Sequence, residues 1–200
     1  MFTKSKEKRE LILTKAKDVF VRKGFNRTTM KDIIEECGIS RGGIYLYFSS
    51  IDEIFIEVIN RHNQLTLEKT KNEAQENDNF EIIIDNYFRM QKERLLHMEN
   101  SLLLSVFEFF IAHKDDPDKD FFSGTTHSLE KTIIEILNYG ITAGYVTHNN
   151  IHILASNILY CIKGLETQAM TYGVTEEQLE KQFGFYKKLI LYKEGISDEK

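Results

Sequence analysis

The sequence predicts an all-α protein with a small N-terminal domain and a larger helical domain after it. The 200 residues contain a single proline and no tryptophan, and few glycines lie inside the helix-spaced apolar patterns. Proline and glycine most disfavour a helix interior, so their placement favours helices throughout. The length is enough for domains with real cores. We expect one domain at residues 1–50, a long linking helix at about residues 51–74, and a second domain at residues 75–200.

The first helix is predicted from Lys6 to Lys23. Apolar residues at helical spacing give it one core-facing stripe, formed by Ile12, Ala16, Val19 and Phe20. Gly24 is expected to end the helix. The charged residues from Lys4 to Arg9 are expected to form a disordered arm.

Two short helices joined by a tight turn follow. Thr28 or Thr29 can cap the first of them, and Gly38 can end it in a left-handed conformation. Ser40 can cap the second, which is predicted from Arg41 to Phe48. This order of elements is a helix-turn-helix.

The second short helix exposes unusual residues for its size. Only Ile44 and Phe48 form an inward face, so Arg41, Tyr45, Leu46 and Tyr47 point largely outward. Two glycines in its first turn weaken it further, and these are Gly42 and Gly43. A partner that approaches the backbone closely, such as DNA, would explain both features, because arginine and tyrosine reach base edges and phosphates. The alternative is a surface helix that packs on another part of the chain.

This stretch resembles the TetR family of bacterial transcriptional regulators. The residues that carry the resemblance are Thr28-Thr29, Gly38-Ile39-Ser40, Gly43-Ile44-Tyr45 and Phe48-Ser49-Ser50, with Ile12-Leu13, Ala16, Val19-Phe20 and Gly24-Phe25 upstream. The resemblance covers about the first sixty residues. One position departs from it, because Ile51 stands where the family usually has a lysine that holds a DNA phosphate.

The candidate DNA-binding residues come from this stretch. We expect Arg41, Tyr45 and Tyr47 to touch DNA, with Gly42 and Gly43 allowing backbone approach. Phosphate contacts are expected from one further group, which consists of Thr28, Thr29, Lys31 and the Lys4 to Arg9 arm. Ser40 and Leu46 complete the candidate set.

The charge distribution fits a nucleic-acid partner although the net charge is −5. Residues 1–50 carry 11 lysines and arginines against 6 aspartates and glutamates, and the other 150 residues carry 15 against 25. A basic domain joined to an acidic one is typical of a DNA-reading head. An ordinary solvated charge run is the alternative, but it would not be expected to coincide with the helix-turn-helix.

Other features exclude a membrane protein. The first ten residues are charged, which argues against a signal peptide, and the apolar run from Leu102 to Ala112 is too short to span a bilayer. Cys37 and Cys161 lie in apolar helical settings and are expected to be buried thiols in a reducing compartment. We therefore expect a cytoplasmic protein.

A long helix is predicted from about Ile51 to Ala74. Ser50 and Glu53 have the spacing of a capping box. Its first turns are apolar and are expected to pack on the N-terminal domain, whereas its later part is largely polar. Such a helix can act as a lever between the two domains.

The second domain is expected to be a helical bundle. Its helices are predicted at Phe80 to Met98, Ser101 to His113, Phe121 to Tyr139, Ile151 to Tyr172 and Thr175 to Glu194. Gly140 is expected to end the third of these. The helix from Ser101 to His113 is nearly all apolar, so it is expected in the middle of the bundle.

A ligand pocket is one hypothesis for the interior of this bundle. Glu108 could line it and select a cation or a hydrogen-bond donor, although its stripe could equally reach solvent. The aromatic residues are more often core than pocket, but the family resemblance implies that a small apolar or amphipathic molecule is sensed there. The candidate pocket residues are Phe88, Phe107, Glu108, Phe110, Tyr139, Tyr160 and Met170.

The last two helices are candidates for a dimer interface. The final helix has two apolar stripes, which need two surfaces to cover them, and small residues in the preceding helix permit close approach. The candidate interface residues are Ala155, Gly164, Phe185, Leu189 and Tyr192.

The sequence does not predict an enzyme, because it contains no catalytic motif with the required spacing. No cofactor is expected. No metal site is expected either, since the acidic loop at residues 115–120 lacks the glycine and glutamate of a calcium loop, and His148 and His152 flank a predicted helix start. We expect a repressor that binds a palindromic operator in double-stranded DNA as a homodimer and is released by a small-molecule effector. The alternative is a DNA-binding protein without an inducer, either constitutive or recruiting a partner.

Overall fold

The computed structural model describes residues 2–76, 79–114, 120–146 and 150–191. All regular structure in these ranges is helical, which confirms the all-α prediction. The α-helices are α1 (Phe2–Lys23), α2 (Met30–Cys37), α3 (Arg41–Tyr45), α4 (Ile51–Glu76), α5 (Phe80–Leu96), α6 (Leu103–Ala112), α7 (Asp120–Thr142), α8 (Ile151–Thr171) and α9 (Glu176–Leu191). A short 3-10 helix, Met98–Asn100, lies between α5 and α6.

The N-terminal arm belongs to α1, so the prediction of disorder from Lys4 to Arg9 is wrong. Arg9 shows why this end is ordered. Its guanidinium is 2.9 Å from a carboxylate oxygen of Glu57 and lies 5.1 Å from the ring centroid of Phe48. These contacts hold the beginning of α1 against the first part of α4 and the end of the helix-turn-helix.

Several other helix bounds differ from the predictions by one or more residues, most visibly at the ends of α3 and α7. α3 ends at Tyr45 rather than Phe48, and the backbone N–H of Tyr47 then donates to the carbonyl of Ile44 three residues earlier, as in a 3-10 turn. α7 continues through Gly140 to Thr142. A Cβ at Gly140 would lie 2.6 Å from a ring carbon of Phe80, so this glycine permits a close contact between helices and does not end one.

Local caps set the helix starts. Ser40 accepts a hydrogen bond from the backbone N–H of Gly43, at 3.1 Å, which confirms the predicted cap. Only half of the predicted box at α4 forms. Ser50 accepts from the backbone N–H of Glu53, but the Glu53 carboxylate accepts from the backbone N–H of Ser49 instead, at 2.7 Å.

The chain divides into two compact units. The first unit comprises Met1–Asn63 with His97–Thr125, and the second comprises Gln64–Leu96 with Thr126–Lys200. They do not coincide with the predicted segments 1–50 and 75–200, because α6 belongs to the unit that contains the helix-turn-helix. α4 contributes residues to both units.

α6 packs on the helix-turn-helix unit through one face. Phe109 contacts Phe25 and Phe55, with ring centroids 4.9 Å away in each case. The opposite side is open, since Ile111 is 66% exposed. The prediction that this helix lies in the middle of a bundle is therefore wrong. Its apolar composition serves the core of the first unit.

The core of the second unit is built from residues of α5, α7, α8 and α9. Phe88 of α5 stacks on Phe183 of α9. Glu166 of α8 is almost fully buried and is 2.7 Å from the Arg94 guanidinium and 2.9 Å from the Lys163 amine. Burial alone would raise the pKa of Glu166, but these two cations outweigh it and hold that pKa below its ordinary value.

Candidate nucleic-acid interface

α3 has one buried side and one exposed side. Ile44 and Phe48 are anchored in the core of the first unit. Arg41 is exposed, Tyr45 is 43% exposed and Leu46 is 83% exposed. A five-residue helix has few internal hydrogen bonds, so its position depends on these two anchors and on the Ser40 cap.

The exposed side of α3 carries groups that suit base edges and phosphates. The guanidinium carbon of Arg41 lies 5.7 Å from the ring centroid of Tyr45, within the range of a cation–π contact. The contact limits the rotamers of the arginine before any partner binds. Tyr47 is half-buried, packs against the core and is less accessible than Arg41 and Tyr45.

The two glycines of α3 have different surroundings. A Cβ at Gly43 would lie 3.1 Å from Oγ of Ser40, so the N-terminal cap crowds this position. A Cβ at Gly42 would meet no atom within 4 Å. The free protein therefore does not require glycine at position 42, which leaves the surface there open to close approach.

The start of α2 forms a second exposed edge. Thr29 and Asp32 form a capping box in which each side chain accepts from the backbone N–H of the other residue. The amine of Lys23 lies 2.7 Å from Asp32. Hydrogen bonds from Lys23 and from Thr29 lower the pKa of Asp32 to about 2. The carboxylate thus stays charged in more acidic solution than a free aspartate would, and it caps the start of the helix.

The residues predicted to contact phosphates differ in how exposed their side chains are. Lys31 is exposed, and its amine is 3.7 Å from Glu35. Thr28 is buried and its hydroxyl donates to the carbonyl of Gly24. The side chain of Thr28 is therefore inside the unit and not on the surface that a phosphate role requires. Ile51 is partly buried against the same core, which gives it a packing role.

No sequence pattern indicated a further set of contacts, which join α6 to other parts of the first unit. The hydroxyl of Ser105 donates to the carbonyl of Phe20 at 2.8 Å, and the Glu108 carboxylate accepts from the backbone N–H of Asn26 at 3.0 Å. Each contact joins α6 to the end of α1 or the turn before α2. More than 80 residues separate the partners, so no local pattern could reveal them.

The predicted pocket residues do not form one group. Phe107, Glu108 and Phe110 belong to α6 in the first unit, and the remaining four belong to the second unit. Among those four, Phe88 packs in the core, Met170 is half-buried and Tyr160 is 70% exposed. Tyr139 lines an open cleft on α7.

The predicted interface residues also divide. Ala155 is fully buried within its own chain, Gly164 is exposed and Phe185 is 60% exposed. Leu189 is half-buried, and Tyr192 lies outside the described residues. The hydroxyl of Tyr186 donates to the carbonyl of Asn157, which joins α9 to α8. Two further exposed apolar side chains of α8, Ile153 and Tyr160, were not among the predicted interface residues.

The predicted buried thiols, Cys37 and Cys161, are half-buried, and burial raises the pKa of both. No cluster of three metal-ligating side chains occurs within the described ranges. Most of the acidic loop, residues 115–119, and His148 fall outside those ranges. In the part of the chain that the structure describes, no helix is both long and apolar enough to cross a membrane.

Comparisons with known proteins agree with this architecture. Residues 12–58 match the family described as bacterial regulatory proteins, tetR family. The chain is 36% identical over 141 residues to the HTH-type transcriptional regulator YfiR of Bacillus subtilis (strain 168), a match that covers 70% of this chain and 68% of that protein.

Two further matches are informative in different ways. The HTH-type transcriptional repressor BepR of Brucella suis biovar 1 (strain 1330) is 40% identical over 55 residues, 28% of this chain and 26% of that protein. A crystal structure of a TetR transcription regulator from Haloarcula marismortui ATCC 43049 has a TM-score of 0.71 at 18% identity, over 94% of this chain and 100% of that one. At this identity the structural match shows a shared fold alone.

Proposed function

The chain belongs to the TetR family of DNA-binding transcriptional regulators, and on that basis we propose that it is a cytoplasmic repressor which binds a palindromic operator as a homodimer and is released by a small-molecule effector. The observation that supports DNA reading by this chain is the exposed side of α3. An arginine and a tyrosine face outward there from a helix whose opposite side is anchored in the core. That arrangement suits the major groove, where arginine binds guanine bidentately.

The homodimer is supported by α8 and α9. Ile153, Tyr160 and Phe185 expose between 59% and 70% of their surface in the single chain. Exposed apolar side chains on α8 and α9 favour burial by a partner surface. A two-fold symmetric dimer would present two copies of α3, and a palindrome offers two matching half-sites about 34–36 Å apart, or further if the site is longer.

Repression is the direction that we propose for the effect on transcription. The relative BepR is named a repressor, and its similarity covers 28% of this chain. Release by an effector requires a molecule that binds the DNA-incompetent state more tightly than the competent one. α4 is the available carrier, because this one helix contributes residues to both compact units.

The proposal is tested by selecting bound sequences from random duplexes with the full-length protein. We expect an inverted repeat, and light scattering of the complex should give an even number of chains per site. A reporter driven from the selected site should fall in output when the protein is expressed. A monomer bound to a single half-site contradicts the dimer, and a rise in reporter output contradicts repression.

A second outcome is a DNA-binding protein without an inducer. It would show the same selected sequence and the same dimer. It differs in that no small molecule changes operator affinity, whether the compounds are lipophilic, cationic or neutral.

A further inference from the structure

The second unit contains an open cleft of about 300 Å³ between the later part of α4 and the end of α7. Its volume is at the lower end of the range for small-molecule sites. The lining residues are Thr70 and Lys71 from α4, and Glu135, Ile136, Asn138, Tyr139 and Thr142 from α7.

The cleft combines an apolar floor with polar walls. Ile136 is buried, and the half-buried ring of Tyr139 lies beside it. Thr70 is also buried, and its hydroxyl donates to the carbonyl of Thr66, which leaves its oxygen able to accept a hydrogen bond. Such a surface suits a ring system that carries a hydrogen-bonding group.

The charges that line the cleft cancel. Lys71 and Glu135 are its two ionisable acidic and basic residues, and they pair with each other at 3.2 Å. Both side chains are more than a third exposed. An exposed pair contributes little to stability, so a polar ligand can separate it at low cost. A ligand with an excess charge would leave that charge unbalanced, whereas an uncharged or zwitterionic one would not.

We propose that this cleft is the effector site and that its ligand is an uncharged or zwitterionic amphipathic small molecule. The ring system lies on Ile136 and Tyr139, and the polar group enters between Lys71 and Glu135. This inference rests on the proposed function, because an effector has meaning only for a regulator. Occupancy separates the ion pair that ties α4 to α7, and α4 is the helix that also belongs to the DNA-reading unit.

The chemical class is tested with four probes that share one naphthyl ring. Naphthylmethanol is uncharged, naphthylalanine is zwitterionic, naphthoate is an anion and naphthylmethylammonium is a cation. Calorimetric titration of the full-length protein should give dissociation constants for the first two that are roughly tenfold lower than for the charged pair. Equal affinity for all four, tighter binding of a charged probe, or no binding by any of them overturns the proposal.

Two substitutions test the charge balance directly. Glu135→Gln leaves Lys71 unopposed and should shift the preference toward naphthoate. Lys71→Gln should shift it toward naphthylmethylammonium. Both positions are partly exposed, so the fold should tolerate the changes. If neither substitution alters the order of affinities, the probes do not bind between these two residues.

A third pair of variants tests the location. Thr142→Trp places a large side chain at the exposed rim of the cleft and should abolish probe binding. Thr126→Trp, at an exposed position of the same helix away from the cleft, should leave it unchanged. Probe binding that survives Thr142→Trp overturns the assignment to this cleft.

The regulatory consequence is measured on the selected operator. Saturation with naphthylmethanol should weaken operator binding by roughly fivefold or more. Binding of the probe without this loss overturns the effector role. Operator binding by the untreated protein separates the two proposals, because its absence overturns the proposed function, whereas its presence without probe selectivity overturns the cleft alone.

Discussion

At the scale of single residues, Gly42 offers a test in which stability and function move in opposite directions. Alanine at this position meets no atom in the free protein and is a better helix residue. We expect Gly42→Ala to raise the free energy of unfolding by about 0.5–1 kcal/mol, measured by chemical denaturation. The added methyl group should weaken operator binding, because we expect DNA to approach the backbone there.

Gly43→Ala is the informative comparison. Its methyl group would crowd the Ser40 cap, so it should not stabilise the protein as Gly42→Ala does. If Gly42→Ala leaves operator affinity unchanged, DNA does not approach this part of α3.

Arg41 and Lys31 should contribute differently to DNA binding. Arg41→Ala should relax base preference at one position, at a cost of about 1–3 kcal/mol for the preferred sequence. Lys31→Ala should weaken all sequences alike and reduce the salt slope by about one. Binding titrations over a salt series, with matched and mismatched duplexes, measure both effects. Lys188→Ala, an exposed lysine of the second unit, is the control. If Lys31→Ala changed the base preference and Arg41→Ala weakened all sequences alike, Lys31 would read bases and Arg41 would contact phosphates.

The capping box at α2 should be visible in the acid stability of the protein. The pKa of Asp32 falls from 3.8 to about 2 on folding. A carboxyl group with a lowered pKa stabilises the fold above its ordinary pKa, and this contribution is lost as the pH falls from about 4 to about 2. Thermal melts across this range should therefore fall less steeply for Asp32→Asn than for the wild type.

Asp18→Asn provides the control for that measurement, since Asp18 is exposed on α1 outside the capping box. A slope that stays the same in Asp32→Asn would mean that the charge of Asp32 does not stabilise the fold.

At the scale of elements, α6 should contribute to the stability of the first unit, which contains the helix-turn-helix. Ser105→Ala removes the hydrogen bond to the carbonyl of Phe20, so the free energy of unfolding should fall by about 0.5–1.5 kcal/mol. Chemical denaturation measures this loss. Ile111→Ala, on the exposed side of the same helix, should change stability less. Equal losses of stability in the two variants would mean that the hydrogen bond of the buried Ser105 hydroxyl does not stabilise the fold.

The elements also show which features the sequence could predict. The helix-turn-helix was predictable because caps such as Ser40 and spaced anchors such as Ile44 and Phe48 act within a few residues. The position of α6 was not, since its apolar composition suits either a bundle interior or the core on which it packs. The prediction that Gly140 ends a helix was wrong for a related reason. Glycine occurs both at helix ends and at close contacts between helices, and the sequence does not distinguish the two.

The candidate site follows the same division. Exposure of Arg41, Tyr45 and Leu46 follows from helical spacing. The burial of Thr28 depends on where its hydroxyl finds a partner, and the sequence offers two adjacent threonines without distinguishing them. The α4–α7 cleft brings together residues more than 60 positions apart, so only the folded chain reveals it.

At the scale of the whole molecule, Phe185 should decide the oligomeric state. Its side chain is 60% exposed in the single chain, so Phe185→Glu should not disturb the fold. A dimer interface at this position would bury the unpaired carboxylate of the new glutamate, which is costly. We therefore expect the variant to be monomeric and to bind the operator more weakly. Light scattering and binding titrations measure the two effects. Tyr172→Glu, at an 81% exposed position just after α8, should remain dimeric. If the Phe185→Glu protein remains dimeric, Phe185 does not lie in the dimer interface.

The sharing of α4 between the two compact units limits how hybrids of this protein can be made. A fusion point between Asn63 and Gln64 cuts through a continuous helix, so the donor and acceptor segments must be joined in the same helical phase. One inserted residue rotates everything downstream by about 100°, whereas seven inserted residues restore the phase to within about 20°. Exchange of operator specificity among relatives therefore depends on counting residues along this helix as much as on choosing the right α3.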